Sequence, residues 1–422
     1  MKKIFICMLA IVTIICACTE TEMWNEKMES VNTSNDMTIE SVKKSAMDFI
    51  KDIQPITRGE SFSIASVYAW RSDEIFPTTR GNEDVELPDT ALYIVNFTNN
   101  NGFMLLSAND PTHEVVAYVE EGNMTPNTII DNPGFEIFKE GLKEYISGFD
   151  PVAPAFPDTT NLTMDSLLVD NYPIEPYYGT WVTDSIVPAL MSTKWGQRYP
   201  YNIYCFTNTG EQAVAGCVAI AAAQVMAYYQ HPNSYNGHTY YWNNILESSA
   251  PYSSLGKESV ARLVNDVGIL ANMDYGVNAS GTYASCLMNC WNHMGYTYNS
   301  YSLYNYDSYR GEILQGRPII IQGQNTKGYI HCWVIDGFIL RKLHYWIQGR
   351  EEIRGTQRLV HCNWGWDGDL NGYFLYNAFI PANRKLTDNL NNSTPSNTPD
   401  ILPIDSAEYK LGLRAYYGLQ PE

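Results

Sequence analysis

Gly216-Cys217 stands at the head of residues 217–229, a run that is apolar almost all round and therefore reads as a buried helix. A cysteine there sits against the positive end of the helix dipole, which favours thiolate over thiol. A nucleophilic thiolate needs a base, and the base needs an orienting group. Of the 7 histidines, His331 opens the alternating strand Cys332-Trp333-Val334-Ile335-Asp336-Gly337 and so projects from one defined face at a strand end. His361, just before Cys362-Asn363-Trp364, is the rival base. The amide oxygen of Asn363 could accept the imidazole N–H, with Trp364 screening that bond from water. Gln197, in Lys194-Trp195-Gly196-Gln197, could donate an amide N–H which, with the backbone N–H of Cys217, would hold the oxyanion of a tetrahedral intermediate. Each residue alone has a plainer reading, as a structural cysteine, a satisfied histidine or a buried aromatic turn.

These groups need a scaffold. Apolar residues at helical spacing mark 37–53 and 135–149, flanking strand-like runs at 91–97, 102–108 and 115–119. Asn99-Asn100-Asn101-Gly102 reads as the turn of a hairpin. Residues 37–150 thus form a small α+β unit. Residues 151–186, with Pro151, Pro154, Pro157, Pro173 and Pro176, have the texture of a surface linker. In residues 187–422, helices at 217–229, 256–273 and 283–294 precede strands at 318–322, 332–340, 359–363, 372–376 and 413–419. The Asn/Ser/Thr/Pro-rich stretch 389–403 reads as a loop. Helices first and an antiparallel sheet after predict an α+β fold, with the nucleophile helix packed on the sheet.

Composition narrows the function. The chain has 422 residues, 45% of them hydrophobic, which excludes wholesale disorder. Asp and Glu outnumber Lys and Arg by 46 to 27, a formal charge of −19, so a nucleic-acid partner is not expected. The 9 cysteines are too few for a disulfide scaffold and match no zinc spacing. Cys286 and Cys290, one helical turn apart, read as small buried hydrophobes. Asp367-Gly368-Asp369-Leu370-Asn371-Gly372 begins like a calcium loop, but its twelfth position is Ala378 where Glu is needed. No metal or cofactor is expected. Lys2 and Lys3 followed by the uncharged run 4–17 form a signal peptide (1–17), and Ile15-Cys16-Ala17-Cys18 is similar to a bacterial lipobox with Cys18 as the lipidated residue. A polar tether (18–36) follows, so the membrane is met only through that lipid.

Gln197, Cys217, His331 and Asn363, in that order, form a papain-type constellation. The segments Lys194-Trp195-Gly196-Gln197 with Tyr199-Pro200-Tyr201-Asn202, Gly216-Cys217-Val218-Ala219, His331 with Val334-Ile335-Asp336-Gly337, and Asn363-Trp364-Gly365-Trp366 together resemble the streptopain family of cysteine peptidases over 187–422. Gly102-Phe103-Met104-Leu105-Leu106-Ser107-Ala108 with 115–122 is similar to the propeptide of that family. The resemblance implies Cys217 as nucleophile, His331 as base, Gln197 as oxyanion donor, and Asn363 with Trp364 as the orienting pair. It implies a zymogen whose residues 37–150 are an intramolecular inhibitor, cleaved within 151–186 to release an enzyme acting on proteins or peptides. The proform is expected at the outer membrane or cell surface and the mature form outside the cell. Cys332 departs from the usual pattern after the histidine and is expected to lie near Cys362 on a neighbouring strand. A cell-wall amidase or a transglutaminase-type acyl transferase using the same Cys-His pair is the alternative.

Overall fold

Backbone groups in the N-terminal third are satisfied by an antiparallel meander flanked by two helices. The computed structural model describes residues 39–53, 61–76, 87–108, 114–147, 179–325, 328–347, 350–379 and 413–422. The expected signal peptide, Cys18, the tether, residues 151–178 and the 389–403 loop lie outside the described residues. Helix α1 (Ile39–Asp52) buries Val42, Ala46, Phe49 and Ile50, an apolar stripe at helical spacing. Strands β1 (Ile64–Arg71), β2 (Thr90–Phe97), β3 (Phe103–Ser107) and β4 (Val115–Val119) pair in sequence order. Both faces of β3 and β4 are covered, which is why they read as unbroken apolar runs. Helix α2 (Pro133–Ser147) starts at Asn132, whose Oδ1 accepts from the N–H groups of Gly134 and Phe135 at 3.0 and 3.2 Å. Proline at the first helical position gives up no needed donor.

Strand β5 (Thr180–Val187) follows, then α3 (Cys217–Tyr229), α4 (Ser254–Leu270), α5 (Leu287–Met294), β6 (Ser300–Leu303) and α6 (Tyr306–Leu314). Strands β7 (Ile319–Gln324), β8 (Ile330–Ile347), β9 (Arg350–Asn363), β10 (Gly372–Leu375) and β11 (Arg414–Tyr417) complete the chain order. The fold is α+β. Its main sheet runs β1-β2-β3-β4-β10-β9-β8-β7-β11-β6, with β5 paired to the second half of β8.

Two features depart from the sequence reading. The N-terminal strands do not close a sheet of their own. They continue into the later strands through the seam of β4 and β10, where Val119, Tyr118 and Ala117 face Gly372, Tyr373 and Phe374. Gly372 allows that approach, because a Cβ on it would come within 2.2 Å of the Tyr118 carbonyl oxygen. The end of the expected linker is the other departure. Residues 180–186 form β5, with alternating exposure along the strand. Trp181, Thr183 and Ser185 take the half-buried positions and Thr180, Val182 and Asp184 the exposed ones, an order that residue polarity alone does not announce.

The sheet has two dressed faces. Helix α3 packs with Cys332, Val334 and Ile320 in one core. On the opposite face, Phe135 and Phe138 of α2 meet Phe374 at centroid distances of 6.2 and 4.9 Å. Burying each such ring is worth about 2 kcal/mol.

Candidate active site

Cys217 is the first residue of α3, and the residue before it has φ +88°. That position takes glycine for two reasons. The backbone is left-handed, and a Cβ on Gly216 would meet the Met273 sulfur at 2.8 Å. The half-buried Cys217 sulfur is met by the backbone N–H groups of Cys332, Val218 and Cys217 itself. Burial is the larger influence and pushes the thiol above its ordinary range.

Cys332 directly follows His331, so β8 brings the histidine to within one residue of the sulfur. The two side chains nevertheless diverge. Neighbouring residues of a strand point to opposite faces, and Cys332 and Val334 face α3. His331 shares the other face with Trp333, its ring parallel to that indole at 6.0 Å. His331 Nε2 lies 2.8 Å from the Trp364 carbonyl oxygen, which can only accept, so Nε2 carries the proton. Burial lowers the imidazole to about 4, against a smaller opposing effect of that bond. The groups acting on Cys217 do not include His331, nor the reverse. Burial disfavours the charged form of both groups in this state.

Helix α2 packs over the imidazole on that face. Gly134 lies so close that a Cβ on it would fall 2.1 Å from Trp364 Cε3 and 3.0 Å from His331 Cδ2. Asn132 donates to the Asp369 carbonyl at 3.2 Å, fastening the start of the helix to the turn after Trp364. The first helical turn of the N-terminal unit therefore covers the Trp364 and His331 rings.

Asn363 and Gln197 occupy the same end of the sheet. The expected Asn363 bond to the imidazole is replaced here. Asn363 Oδ1 accepts from Gln224 Nε2 and from the Gly365 N–H, both at 3.2 Å, and its Nδ2 donates to the Thr193 carbonyl at 2.6 Å. The Trp364 residue contributes its carbonyl to His331 and buries its indole among Trp333, Phe374 and Phe379. The backbone of Gln197 accepts from Ala215 N–H at 2.8 Å, two residues before Cys217, and Trp195 accepts from Asp367 N–H at 3.0 Å. The strap 195–197 thus bridges the loop before Cys217 and the Asn363-Trp364 turn.

His361 is placed elsewhere. Its Nδ1 lies 2.5 Å from Asp336 Oδ1 and its Nε2 3.7 Å from Glu120 Oε2. Burial opposes its charge, but the two carboxylates prevail and raise it to about 10. It is an ion-paired structural group, not a base beside the sulfur. Cys332 and Cys362 are both free thiols. Cys362 faces Ile335 across the ladder, which puts its side chain on the Trp333 face, opposite to that of Cys332. Neighbouring strands hold them, yet the sheet separates them.

Residues 195–374 match the Peptidase C10 family, and residues 34–146 match the Spi protease inhibitor family. Streptopain of Streptococcus pyogenes is 25% identical over 377 residues, spanning 81% of this chain and 85% of that protein. Residues 195–374 are a cysteine peptidase domain of the Peptidase C10 family. The thiol protease/hemagglutinin PrtT of Porphyromonas gingivalis is 23% identical to the peptidase over 82% of this chain and 39% of its own length. In fold, the peptidase is similar to a fragment of Prevotella intermedia prointerpain A, with a TM-score of 0.51 and 23% identity, covering 80% of this chain and 98% of that one. The peptidase is a cysteine endopeptidase, and an inhibitor-like prodomain precedes its catalytic domain.

Sequence reasoning missed three residues at this site. Gly134 carried no signal, because its role lies in a long-range contact. Glu120 is separated from His361 by most of the chain. Gln224 did carry one: it is the amide set in the otherwise apolar run 218–227, and it is fully buried.

Proposed function

We propose that the chain is exported and made as a latent endopeptidase, with Cys217 as nucleophile and His331 as general base and acid. The observation that carries this reading is the arrangement around β8. The Cys217 sulfur is met by the N–H of the residue after His331, while the imidazole is turned to the other face beneath Gly134. Departure of α2 frees the Trp364 and His331 rings and lets the imidazole turn toward the sulfur. The thiol proton then passes to His331. Burial, which separately disfavours each charge, is offset once thiolate and imidazolium lie together.

The thiolate adds to the scissile carbonyl carbon, and the oxyanion is held by the Cys217 N–H and the Gln197 amide. His331 gives its proton to the leaving amine as the C–N bond breaks. A water molecule, deprotonated by His331, then cleaves the thioester and the proton returns to the sulfur. In this reading Asn363 and Trp364 hold the imidazole once it has turned.

Residues 1–17 are the signal peptide and Cys18 carries the lipid, so the proform is anchored at the surface by its prodomain (37–150). Strand β5 belongs with the catalytic part through its pairing to β8, and cleavage in the linker therefore falls before Thr180. The soluble enzyme leaves the lipid behind. Incubating the purified proform with and without a thiol inhibitor, followed by N-terminal sequencing, tests the reading. A new terminus between residues 151 and 179, formed only without inhibitor, supports it. An active enzyme still continuous with Cys18 contradicts it.

A further inference from the structure

We infer that Gln224 is a positioning residue for catalysis, acting through the side-chain amide of Asn363; this rests on the proposed roles of Cys217, His331 and Asn363. Gln224 lies two helical turns after Cys217, a spacing that returns to the same face of α3. Its Nε2 donates to Asn363 Oδ1 at 3.2 Å, beside the Gly365 N–H at the same distance, while Asn363 Nδ2 donates to the Thr193 carbonyl at 2.6 Å. Two donors aimed at one atom and an acceptor aimed at the other leave a single orientation for that amide. Turned over, it would face donor to donor twice and oxygen to oxygen once.

The rest of the contact is equally close. Gly365, at φ +65°, sits where a Cβ would lie 3.1 Å from Ile220 Cγ2 and 3.8 Å from Gln224 Nε2. The turn that supplies the Trp364 carbonyl to His331 is thus packed directly on the nucleophile helix, and Gln224 is its polar fastening.

Packing alone does not account for a glutamine here. Its flanks from Val218 to Ala227 are apolar and buried, and Gln224 Oε1 is itself buried with no hydrogen-bond partner among the described residues. A methionine would fill the same space without stranding a carbonyl oxygen. A residue that breaks the local pattern at a cost belongs to function more often than to stability. Gln224 holds the Asn363 oxygen on the α3 side of the turn and fastens the sulfur-bearing helix to the Asn363-Trp364 turn.

The test uses the full chain, processed by itself or by added wild-type enzyme that is then removed, with Gln224→Met and Gln224→Glu. Gln224→Met should lose roughly 10- to 100-fold in kcat, the scale of small misplacements, with KM unchanged within about 2-fold. A buried glutamate is protonated as pH falls and its O–H can donate to Asn363. Gln224→Glu should therefore regain activity, relative to wild type, between about pH 8 and about pH 5. Wild-type kcat in Gln224→Met overturns the inference. So does loss in both variants that tracks the folded fraction without recovery at acid pH, which is a packing role. The underlying assignment is read separately: if wild-type enzyme still hydrolyses peptides after complete alkylation of Cys217, that reading fails whatever Gln224 does.

Discussion

The His331 Nε2 proton is held by the Trp364 carbonyl at 2.8 Å, on the face of β8 opposite to the one that Cys332 presents to the Cys217 helix. The Cys217 sulfur is thus met by the backbone N–H of the residue after His331, while the imidazole lies on the face of β8 turned away from the Cys217 helix. In the proposed reading, latency is a matter of which face the imidazole occupies.

Replacing Cys217, the proposed nucleophile, is the plainest test. Cys217→Ala should keep the fold, since the change removes one half-buried sulfur, and should abolish peptide hydrolysis. His361→Gln, which leaves Cys217 and His331 in place, should retain hydrolysis. Comparing kcat/KM of the two variants on one peptide checks both; activity in the first, or its absence in a folded second, would reverse the assignments.

Gly134 should govern how firmly the prodomain holds. A Cβ there collides with the Trp364 ring, and overpacking of this kind costs about 1–3 kcal/mol. Gly134→Ala is expected to loosen α2 and speed processing of the proform without altering kcat of the released enzyme. The rate of appearance of the shorter chain on a gel measures it.

The His361 pair should set a pH dependence of proform stability. Its folded value, about 10, lies above the ordinary 6.5 because Asp336 and Glu120 prevail over burial. A raised histidine contributes stability that is fully present below about 6.5 and is lost as pH rises through about 10. Thermal melts from about pH 6 to about pH 10 should show Tm falling in wild type and a flatter profile in His361→Gln.

Arg341 ties the prodomain to the enzyme from the other side. It is buried in β8, 3.4 Å from Asp52 of α1, with its guanidinium over the Phe49 ring at 4.9 Å. Asp52→Asn should weaken docking modestly. Arg341→Ala should do more, since it also removes the stacking contact with Phe49. The midpoint of urea unfolding of the proform ranks the two.

Much of this was legible in the sequence because it is local. The apolar run 217–229 became α3 at those bounds, and the runs at 91–97 and 115–119 became β2 and β4, since period and burial are written in neighbouring residues. Asn363, Trp364 and the 195–197 strap lie together, joined by the Trp195 carbonyl to the Asp367 N–H. What the sequence could not carry was long-range. Nothing local in Gly372 announces that a strand of the prodomain will lie against it, nor in Gly134 that it will rest on an indole hundreds of residues away. The Gly134 contact covers the His331 and Trp364 rings, and no local pattern in the motif residues announces it.

The central claim is that prodomain removal unites sulfur and imidazole. Its most direct measure is the rate of Cys217 alkylation by iodoacetamide as a function of pH, before and after processing, followed by peptide mass analysis. The account predicts that the proform reacts slowly until alkaline pH, as a buried neutral thiol does, and that the processed enzyme reacts rapidly already in mild acid, where a thiolate persists only beside an imidazolium. Equal, thiol-like profiles in both forms, with the processed form hydrolysing peptides at full rate, would contradict it.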